Sequence, residues 1–306
     1  MEHVIEIKNL VKDYGQGRGV FDVSFFVNKG EVFGFLGPNG AGKSTTIRHL
    51  MGFSVPDSGI TLLKGENSLK ERDVLMQGVS YIPGEISLPL NLRGYEVIKE
   101  QMQLKQVKDK SLYEWLASYF ELDTKVYCKE MSLGSKRKMA IVCAFMSDPD
   151  IIIMDEPSSG LDPEMQEKFI ELVKMEKNRG KTILLSSHIF QEVDACCDRI
   201  AVIKDGKIVS LFNADDLKHK SVKTYHVTYP SERRAAEVKI LLLNNNFKCV
   251  SSTIDDRRLT VSVDESKTDA FFILLPKDLI DFTEKKETLE DYFMSFYKED
   301  KTYGGV

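Results

Sequence analysis

A glycine-rich loop at residues 37–45 constrains this chain more than any other stretch of its sequence. It reads Gly-Pro-Asn-Gly-Ala-Gly-Lys-Ser-Thr and matches the phosphate-binding pattern G-x-x-x-x-G-K-[ST]. The apolar segment before it, Val32–Leu36, predicts a strand, and residues 45–51 after it predict a helix. In such a loop the backbone N–H groups point inward at a phosphate, and the helix N-terminus adds the positive end of its dipole. The sequence therefore predicts a nucleotide-binding strand, loop and helix.

Two residues of this loop have side chains suited to the nucleotide. Lys43 is expected to neutralise the β- and γ-phosphates, and the Ser44 hydroxyl to ligate Mg²⁺. The predicted nucleotide-binding residues of the loop are Gly37, Pro38, Asn39, Gly40, Ala41, Gly42, Lys43, Ser44 and Thr45. The loop alone leaves kinases, GTPases and transport motors open, so other motifs have to decide the class of protein.

A second segment places two carboxylates at the end of a predicted buried strand. Ile151–Asp155 is a short apolar run that ends in an acid, and Glu156 follows it directly. A parallel strand buried on both faces has this composition, and it delivers side chains at its carboxyl end. Asp155 is expected to hold Mg²⁺, directly or through water, and Glu156 to polarise an attacking water.

The order and spacing of these motifs resemble those of the ATP-binding subunit of ABC transporters, over roughly residues 1–212. The resemblance implies that Ile151–Asp155 is the Walker B strand and that Glu156 is the catalytic glutamate. It also implies a D-loop at residues 159–162, which ends in Asp162, and a switch histidine at His188 after a strand at 182–186. ATP and Mg²⁺ are then the expected cofactors and ATP hydrolysis the expected activity, with Lys43, Glu156 and His188 as the catalytic residues.

Tyr14 follows the first predicted strand and matches the aromatic residue that stacks on adenine in this family. The alternative is a tyrosine at a strand end without a ligand, a position that aromatic residues favour in any case.

The signature motif of the family, Leu-Ser-Gly-Gly-Gln, is altered in this chain. It reads Met-Ser-Leu-Gly-Ser at residues 131–135, so Ser132 and Gly134 are retained. The resemblance implies that these two residues touch the γ-phosphate held by a facing subunit. It therefore implies a head-to-tail dimer, either with a second copy of this chain or with a different ATP-binding subunit.

The glutamine that usually follows the strand Val79–Ile82 is missing. The segment 81–85 reads Tyr-Ile-Pro-Gly-Glu, with Gly84 at the position of the glutamine and Glu85 beside it. One hypothesis is that Glu85 presents its carboxylate toward Mg²⁺, since a carboxylate oxygen is a suitable hard ligand. The alternative is a Pro-Gly turn in which Glu85 faces solvent.

The predicted fold class is α/β with an appended α+β domain. Residues 1–215 are predicted to form a P-loop NTPase domain of the ABC ATPase type, with a helical subdomain inserted at about 85–148. After a polar stretch, residues 222–306 are predicted to form a small ferredoxin-like domain with an accessory or regulatory role. Similar C-terminal additions occur on subunits that serve bacterial exporters of drugs, peptides and antibiotics, so the resemblance implies export.

Composition and hydropathy bear on the partners. The formal net charge is −5 over 306 residues, which gives no basic field for nucleic acid. No stretch reaches the ~20 apolar residues that span a bilayer. The resemblance thus implies a separate multi-helix membrane permease that holds this chain at the cytoplasmic face of the cell membrane. The five cysteines lack C-x-x-C spacing and are expected to be reduced thiols.

Two questions stay open on the sequence alone. Leu88, Leu90 and Leu92 fit a docking surface for the permease as well as they fit the core of the helical subdomain. The altered signature and the missing glutamine also fit a nucleotide-sensing module of low turnover that regulates a membrane partner, whereas Glu156 and His188 favour an active ATPase.

Overall fold

The computed structural model describes residues 2–218, 222–251, 255–285 and 288–298. The chain divides into two compact units, Met1–Ala214 and Asp215–Val306. The strands of the first unit are β1 His3–Asp13, β2 Gly19–Asn28, β3 Val32–Leu36, β4 Ser58–Leu63, β5 Glu66–Asn67, β6 Val79–Ile82, β7 Ile151–Asp155, β8 Thr182–Ser187, β9 Arg199–Lys204 and β10 Lys207–Asn213. Its helices are α1 Lys43–Leu50, α2 Arg72–Leu75, α3 Gly94–Leu104, α4 Ser111–Tyr119, α5 Leu133–Phe145, α6 Pro163–Asn178 and α7 Phe190–Cys196.

The central sheet of the first unit has six strands in the order β10-β9-β3-β8-β7-β6. The five strands from β9 to β6 run parallel, and β10 is an antiparallel edge strand. Every residue of β3, β7 and β8 is buried, which explains their nearly continuous apolar sequences. Since Leu36 pairs with Ser187 and Asp155 with Ser186, the three strands end at the same edge of the sheet.

A second, antiparallel sheet covers the first, with strand order β2-β1-β4-β5. Its buried face shares one apolar core with β3 and β7. Phe25 of β2 stacks on Phe33 of β3, with ring centroids 4.9 Å apart, and also contacts Phe35 at 5.1 Å. Large aromatic rings thus fix the distance between the two sheets and hold β3, the strand that leads into the glycine-rich loop.

The helices α3, α4 and α5 lie between β6 and β7 in chain order. The ammonium group of Lys105, at the end of α3, donates to the carbonyls of Met76 and Val79 at 2.9 and 3.0 Å, so it ties this helical segment to the start of β6. Phe120 at the end of α4 and Ile141 on α5 are fully buried in the same segment. The helical spacing of apolar residues predicts helices at 95–105, 111–120 and 136–146, and a helix lies at each of these places, the third starting three residues earlier than predicted.

The second unit contains α8 Ala214–Lys218, which begins at the boundary, and then β11 Val222–Thr228, α9 Glu232–Asn244, β12 Lys248–Ser251, β13 Arg258–Asp264, α10 Thr268–Leu274, β14 Asp281–Lys285 and α11 Leu289–Lys298. Its strands form an antiparallel sheet in the order β12-β13-β11-β14. This strand order and the βαββαβ connectivity are those expected of a ferredoxin-like unit. The sequence also predicts a strand at 247–254, and the second domain is predicted to end at 306. Residues 252–254 and 299–306 lie outside the described part of the chain.

The last strand of this sheet lies further along the chain than its apolar residues predict. The apolar residues at 279–282 predict a strand there, but β14 pairs with β11 from Asp281, opposite Thr228, to Lys285, opposite Thr224. Phe282 supplies the apolar contact, since its ring stacks on Tyr225 at 5.2 Å. Polar residues complete the strand, because one face of an antiparallel edge strand can remain in solvent.

Among the described residues, no helix combines the length and the apolar composition that crossing a bilayer requires.

Each unit has its own apolar core, so we expect the first to fold without the second. A chain that ends at residue 220 should be soluble and should unfold in one cooperative thermal transition, monitored by circular dichroism. The full chain measured under the same conditions is the control. A truncated chain that aggregates, or that lacks a cooperative transition, would show that the first unit depends on residues after 220.

Candidate functional site

The glycine-rich loop forms the junction between β3 and α1. Gly42 adopts φ 110°, a left-handed conformation that side chains rarely occupy. A Cβ atom there would lie 2.7 Å from the Val20 side chain and 3.2 Å from the Gly19 carbonyl oxygen. The N–H of Gly206, in the turn between β9 and β10, donates to the carbonyl of Ala41 at 3.0 Å. The loop is thus held by the start of β2 on one side and by the β9–β10 turn on the other.

Lys43 is the charged group of this loop, and its side chain is only 5% exposed. Its ammonium group donates to the carbonyls of Gly37 and Pro38 at 2.6 and 3.1 Å. The same group forms an ion pair with Glu156, with 3.0 Å between Nζ and Oε1. The structure therefore brings the predicted phosphate-binding cation and the predicted catalytic carboxylate into direct contact.

His188 lies on the other side of the Glu156 carboxylate. Its Nδ1 is 2.6 Å from Oε2 of Glu156. An ionised carboxylate only accepts hydrogen bonds, so we assign the proton of this hydrogen bond to Nδ1. Glu156 has φ 51° and its N–H donates to the carbonyl of Ser186 at 3.1 Å, which turns its side chain away from the line of β7. Lys43, Glu156 and His188 form a continuous chain of polar contacts.

Asp155 is buried directly before Glu156. Its Oδ1 accepts a hydrogen bond from the Ser186 hydroxyl at 2.6 Å. Its Oδ2 lies 3.1 Å from the place that a Cβ atom on Gly84 would occupy, so the glycine backbone packs against this carboxylate. Ser44 has an exposed side chain at the start of α1. Both residues offer the oxygen ligands that Mg²⁺ prefers, and the donor set fits that ion.

Glu85 does not contact this group of residues. Its side chain is exposed, and no hydrogen bond or ion pair joins it to any residue in the described part of the chain. The neighbouring leucines differ from one another: Leu88 and Leu92 are half-buried, whereas Leu90 is 58% exposed. The segment after the Pro-Gly turn thus combines residues of the core with residues of the surface.

The altered signature motif starts α5 and packs against the D-loop of the same chain. Ser132 is the N-cap of α5, and its hydroxyl accepts a hydrogen bond from the N–H of Ser135 at 3.1 Å. A Cβ atom on Gly134 would lie 3.0 Å from the carbonyl oxygen of Gly160, so the two loops are in close contact. Asp162 caps α6, where its Oδ1 accepts from the N–H of Met165 at 3.0 Å. Within the described residues, no hydrogen bond joins Ser132, Gly134 or Asp162 to Lys43.

Tyr14 lies in the turn between β1 and β2, and its ring is 51% exposed. The turn is closed by a hydrogen bond from the N–H of Tyr14 to the carbonyl of Arg18 at 2.9 Å. The Lys12 ammonium lies 5.9 Å from the centroid of the ring. Because Gly19 at the end of this turn touches Gly42, Tyr14 is near the glycine-rich loop with its ring free to stack on a planar group.

Three buried residues at the site escaped the sequence analysis: Ser186, Glu192 and Arg137. Ser186 had a readable signal, since polar residues at the end of an otherwise apolar strand, Thr182–Ser187, point to a site at the carboxyl edge of the sheet. Glu192 and Arg137 had none, because charged residues on amphipathic helices are normally exposed. Their burial depends on elements that are distant in sequence.

Glu192, on α7, anchors the turn that carries His188. Its side chain is 2% exposed, and its Oε2 accepts from the Ser187 hydroxyl at 2.5 Å. The oxygen of that hydroxyl accepts in turn from the N–H of Ile189 at 2.9 Å. Burial raises the pKa of Glu192 to about 7, and the nearby Glu156 carboxylate acts in the same direction. The residues on both sides of His188 are thereby fixed to a carboxyl group in the core.

Comparison with known proteins agrees with these motifs. The sequence profile of the family described as ABC transporter matches residues 20–159. An uncharacterized ABC transporter ATP-binding protein of Bacillus subtilis (strain 168), YhcH, is 30% identical over 98% of this chain and 98% of its own length. The bacitracin transport ATP-binding protein BcrA of Bacillus licheniformis is 28% identical over 96% of this chain and 97% of its own length.

A solved structure of the ATP-binding subunit of an ABC transporter superposes with a TM-score of 0.63 at 31% identity. The alignment covers 70% of this chain and 92% of that one. It supports the α/β fold with a phosphate-binding loop between β3 and α1.

Glu192 makes the stability of the protein depend on pH. The pKa of this carboxyl group rises to about 7 on folding from an ordinary value of 4.5, so the folded state holds the proton more tightly than the unfolded state. The resulting contribution to the free energy of unfolding is complete below pH 4.5 and is lost as the pH rises through 7. The glutamine of Glu192→Gln cannot ionise. We therefore expect the unfolding temperature of this variant, minus that of the parent, to be larger at pH 8 than at pH 5. Thermal unfolding at pH 5, 6, 7 and 8 measures this, and the exposed Glu167→Gln is the matched control. A difference between Glu192→Gln and parent that stays constant with pH would contradict the expectation.

Proposed function

Because the chain belongs to the family of ABC transporter ATP-binding proteins and is an ATPase, we propose that it powers transport, in the export direction, through a separate membrane permease. The observation that carries the proposal is the chain of contacts from Lys43 through Glu156 to His188. Transport is supported by the bacitracin transport relative, which aligns with both units of this chain. Export is supported by the Nod factor export ATP-binding protein I of Paraburkholderia xenovorans (strain LB400), which is 35% identical over 68% of this chain. ATP is the nucleotide, and we propose that Mg²⁺ accompanies it, held by Ser44 and Asp155.

The proposed reaction follows from the groups at the edge of the sheet. Lys43 leaves the loop carbonyls and Glu156 and binds the β- and γ-phosphates, because its ammonium group is attracted more strongly to their several negative charges. Glu156, released from Lys43, accepts a hydrogen bond from the attacking water and orients it toward the γ-phosphate. His188 keeps the carboxylate in place through Nδ1. The bound Mg²⁺ would neutralise charge that develops on the phosphate oxygens.

We propose that a second ATP-binding subunit completes the site. Ser132 and the N–H of Gly134 lie at the start of α5, where the helix dipole favours a negatively charged group. In this chain Gly134 packs against Gly160 of the D-loop, and neither Gly134 nor Ser132 bonds to Lys43 within the described residues. We propose that the phosphate they bind is one held by a facing subunit. A head-to-tail pair would bury two nucleotides between Lys43 of one subunit and Ser132 of the other, with Asp162 near the contact. Tyr14 would stack on adenine.

The membrane partner is proposed to dock near residues 85–95. Leu90 is exposed there, next to the Pro-Gly turn that packs on Asp155. Contact at this segment would place the chain at the cytoplasmic face of the membrane through its permease, with no nucleic acid involved. We propose an accessory or regulatory role for the second unit.

A second candidate function is a nucleotide-sensing module of low turnover that regulates a membrane partner. The altered signature and the exposed position of Glu85 favour it, because both leave the site with fewer ligands for the γ-phosphate and the metal. ATP turnover by the purified chain, with and without the permease, separates the two functions.

Glu156→Gln is the most informative single change at the site. We expect it to bind ATP at least as tightly as the parent, because the carboxylate that competes with the phosphates for Lys43 is gone. The turnover number should fall by about 10²-fold or more, since the group that orients the attacking water is lost. Size-exclusion chromatography with ATP should then show a stable dimer. Hydrolysis at the parent's rate would remove Glu156 from this role.

Lys43→Ala is the contrasting variant, because it should lose nucleotide binding itself. The two variants are compared by titration with a fluorescent ATP analogue. Equal affinity of the parent and Lys43→Ala would show that the phosphates bind elsewhere.

We also propose that Glu85 presents its carboxylate toward Mg²⁺ or its bound water when the dimer closes. Glu85→Gln should then keep the parent's ATP hydrolysis or exceed it, since the amide oxygen remains a ligand and a negative charge is removed. Glu85→Ala should lower hydrolysis in the presence of the permease. Equal activity of Glu85→Ala and the parent in that assay would end this part of the proposal.

A further inference from the structure

Arg137 is a buried cation near the site that the reaction above does not use. It lies on α5, five residues after Ser132, and is 2% exposed. No carboxylate of the described residues lies within ion-pair distance of its guanidinium. Its donors go instead to backbone carbonyls: Nη1 to Pro83 at 2.9 Å, Nη2 to Gly84 at 2.8 Å and Nε to Ser159 at 3.1 Å.

These three carbonyls belong to two loops, one of which contacts the Asp155 carboxylate and the other the backbone of Glu156. Pro83 and Gly84 form the turn after β6, and the Gly84 backbone packs against Oδ2 of Asp155. Ser159 is in the D-loop, and its N–H donates to the carbonyl of Glu156 at 3.2 Å. Among the described residues, none of the three carbonyls accepts another hydrogen bond. Arg137 therefore donates hydrogen bonds to both of the loops that contact Asp155 and Glu156.

The missing glutamine gives this arrangement its significance. A glutamine at residue 84 could reach the site with its own side chain, whereas a glycine can act only through its backbone. The Gly84 carbonyl is held by Arg137, so any movement of the turn must break or carry along the guanidinium. We propose that Arg137 is a positioning residue for ATP hydrolysis, which couples the turn at 83–84 to the D-loop in place of the absent glutamine side chain.

Arginine is well suited to this role. Its planar guanidinium presents several N–H donors in a fixed fork, so one side chain can hold carbonyls from two loops in a defined relative position. Burial lowers the pKa of Arg137, and the Asp155 and Glu156 carboxylates counteract this by favouring the charged form. The cation is thus attracted toward the catalytic acids while its hydrogen bonds stay on the loops. A lysine would keep the charge and lose the fork.

The test compares Arg137→Gln and Arg137→Lys with the parent. Lys138→Gln is the matched control, since it removes a neighbouring cation of the same helix that bonds to neither loop. We expect Arg137→Gln to lower the turnover number by tenfold or more with the KM for ATP within twofold, and Arg137→Lys to be intermediate. This needs only the ATPase activity of the purified chain, so it does not depend on the proposed permease.

Hydrogen exchange of the parent and variants separates coupling from general stability. With a slowly hydrolysed ATP analogue and Mg²⁺, peptides that cover residues 84–88 and 159–162 should change protection together in the parent. In Arg137→Gln the change at 159–162 should persist, while that at 84–88 should fall to less than half. If protection at 84–88 and at 159–162 changed together in Arg137→Gln as it does in the parent, that result would overturn the inference. So would a failure of both Arg137 variants to fold, because that result assigns Arg137 to structure alone.

Discussion

The ion pair between Lys43 and Glu156 is the interaction on which the rest of the site depends. It places the cation that we propose receives the phosphates against the carboxylate that we propose orients water, in a pocket where Lys43 is almost completely buried. Two opposite charges attract each other more strongly in such a place than at a surface, and removing one of them leaves the other buried without a partner. In the proposed reaction, a nucleotide that binds Lys43 releases Glu156 from its ion pair, so nucleotide binding and activation of the carboxylate would be the same event.

Sheet register holds the two residues in contact. β3 leads into the loop with Lys43, β7 ends at Asp155, and β8 lies between them with Ser186 and Ser187 at its end. Ser186 fixes Asp155 and Ser187 fixes Glu192, so both neighbouring elements are anchored through hydroxyl groups of the middle strand. His188 then follows directly. The neighbouring ends of the parallel strands β3, β8 and β7 thus bring Lys43, His188 and Glu156 together.

The sequence predicts most of this because the strong signals are local. The strands β3 and β7 were predicted to the residue from short apolar runs next to a glycine-rich loop and a pair of acids. The predicted position of β14 is wrong because its pairing with β11, and not the hydrophobicity of its own residues, determines where the strand begins and ends. Arg137 and Glu192 could not be found, since their burial arises from contacts across more than one element. Glu85 could be singled out from the missing glutamine, but its exposed position depends on the path of the turn.

We propose that each nucleotide site takes Lys43 from one subunit and Ser132 from another. A mixture of two inactive chains, Lys43→Ala and Ser132→Arg, tests it directly against the parent's own ATP turnover. Mixed dimers contain one site with both residues intact, so equal amounts should restore up to about a quarter of the parent's turnover. A mixture no more active than the sum of the two variants measured separately would contradict the claim.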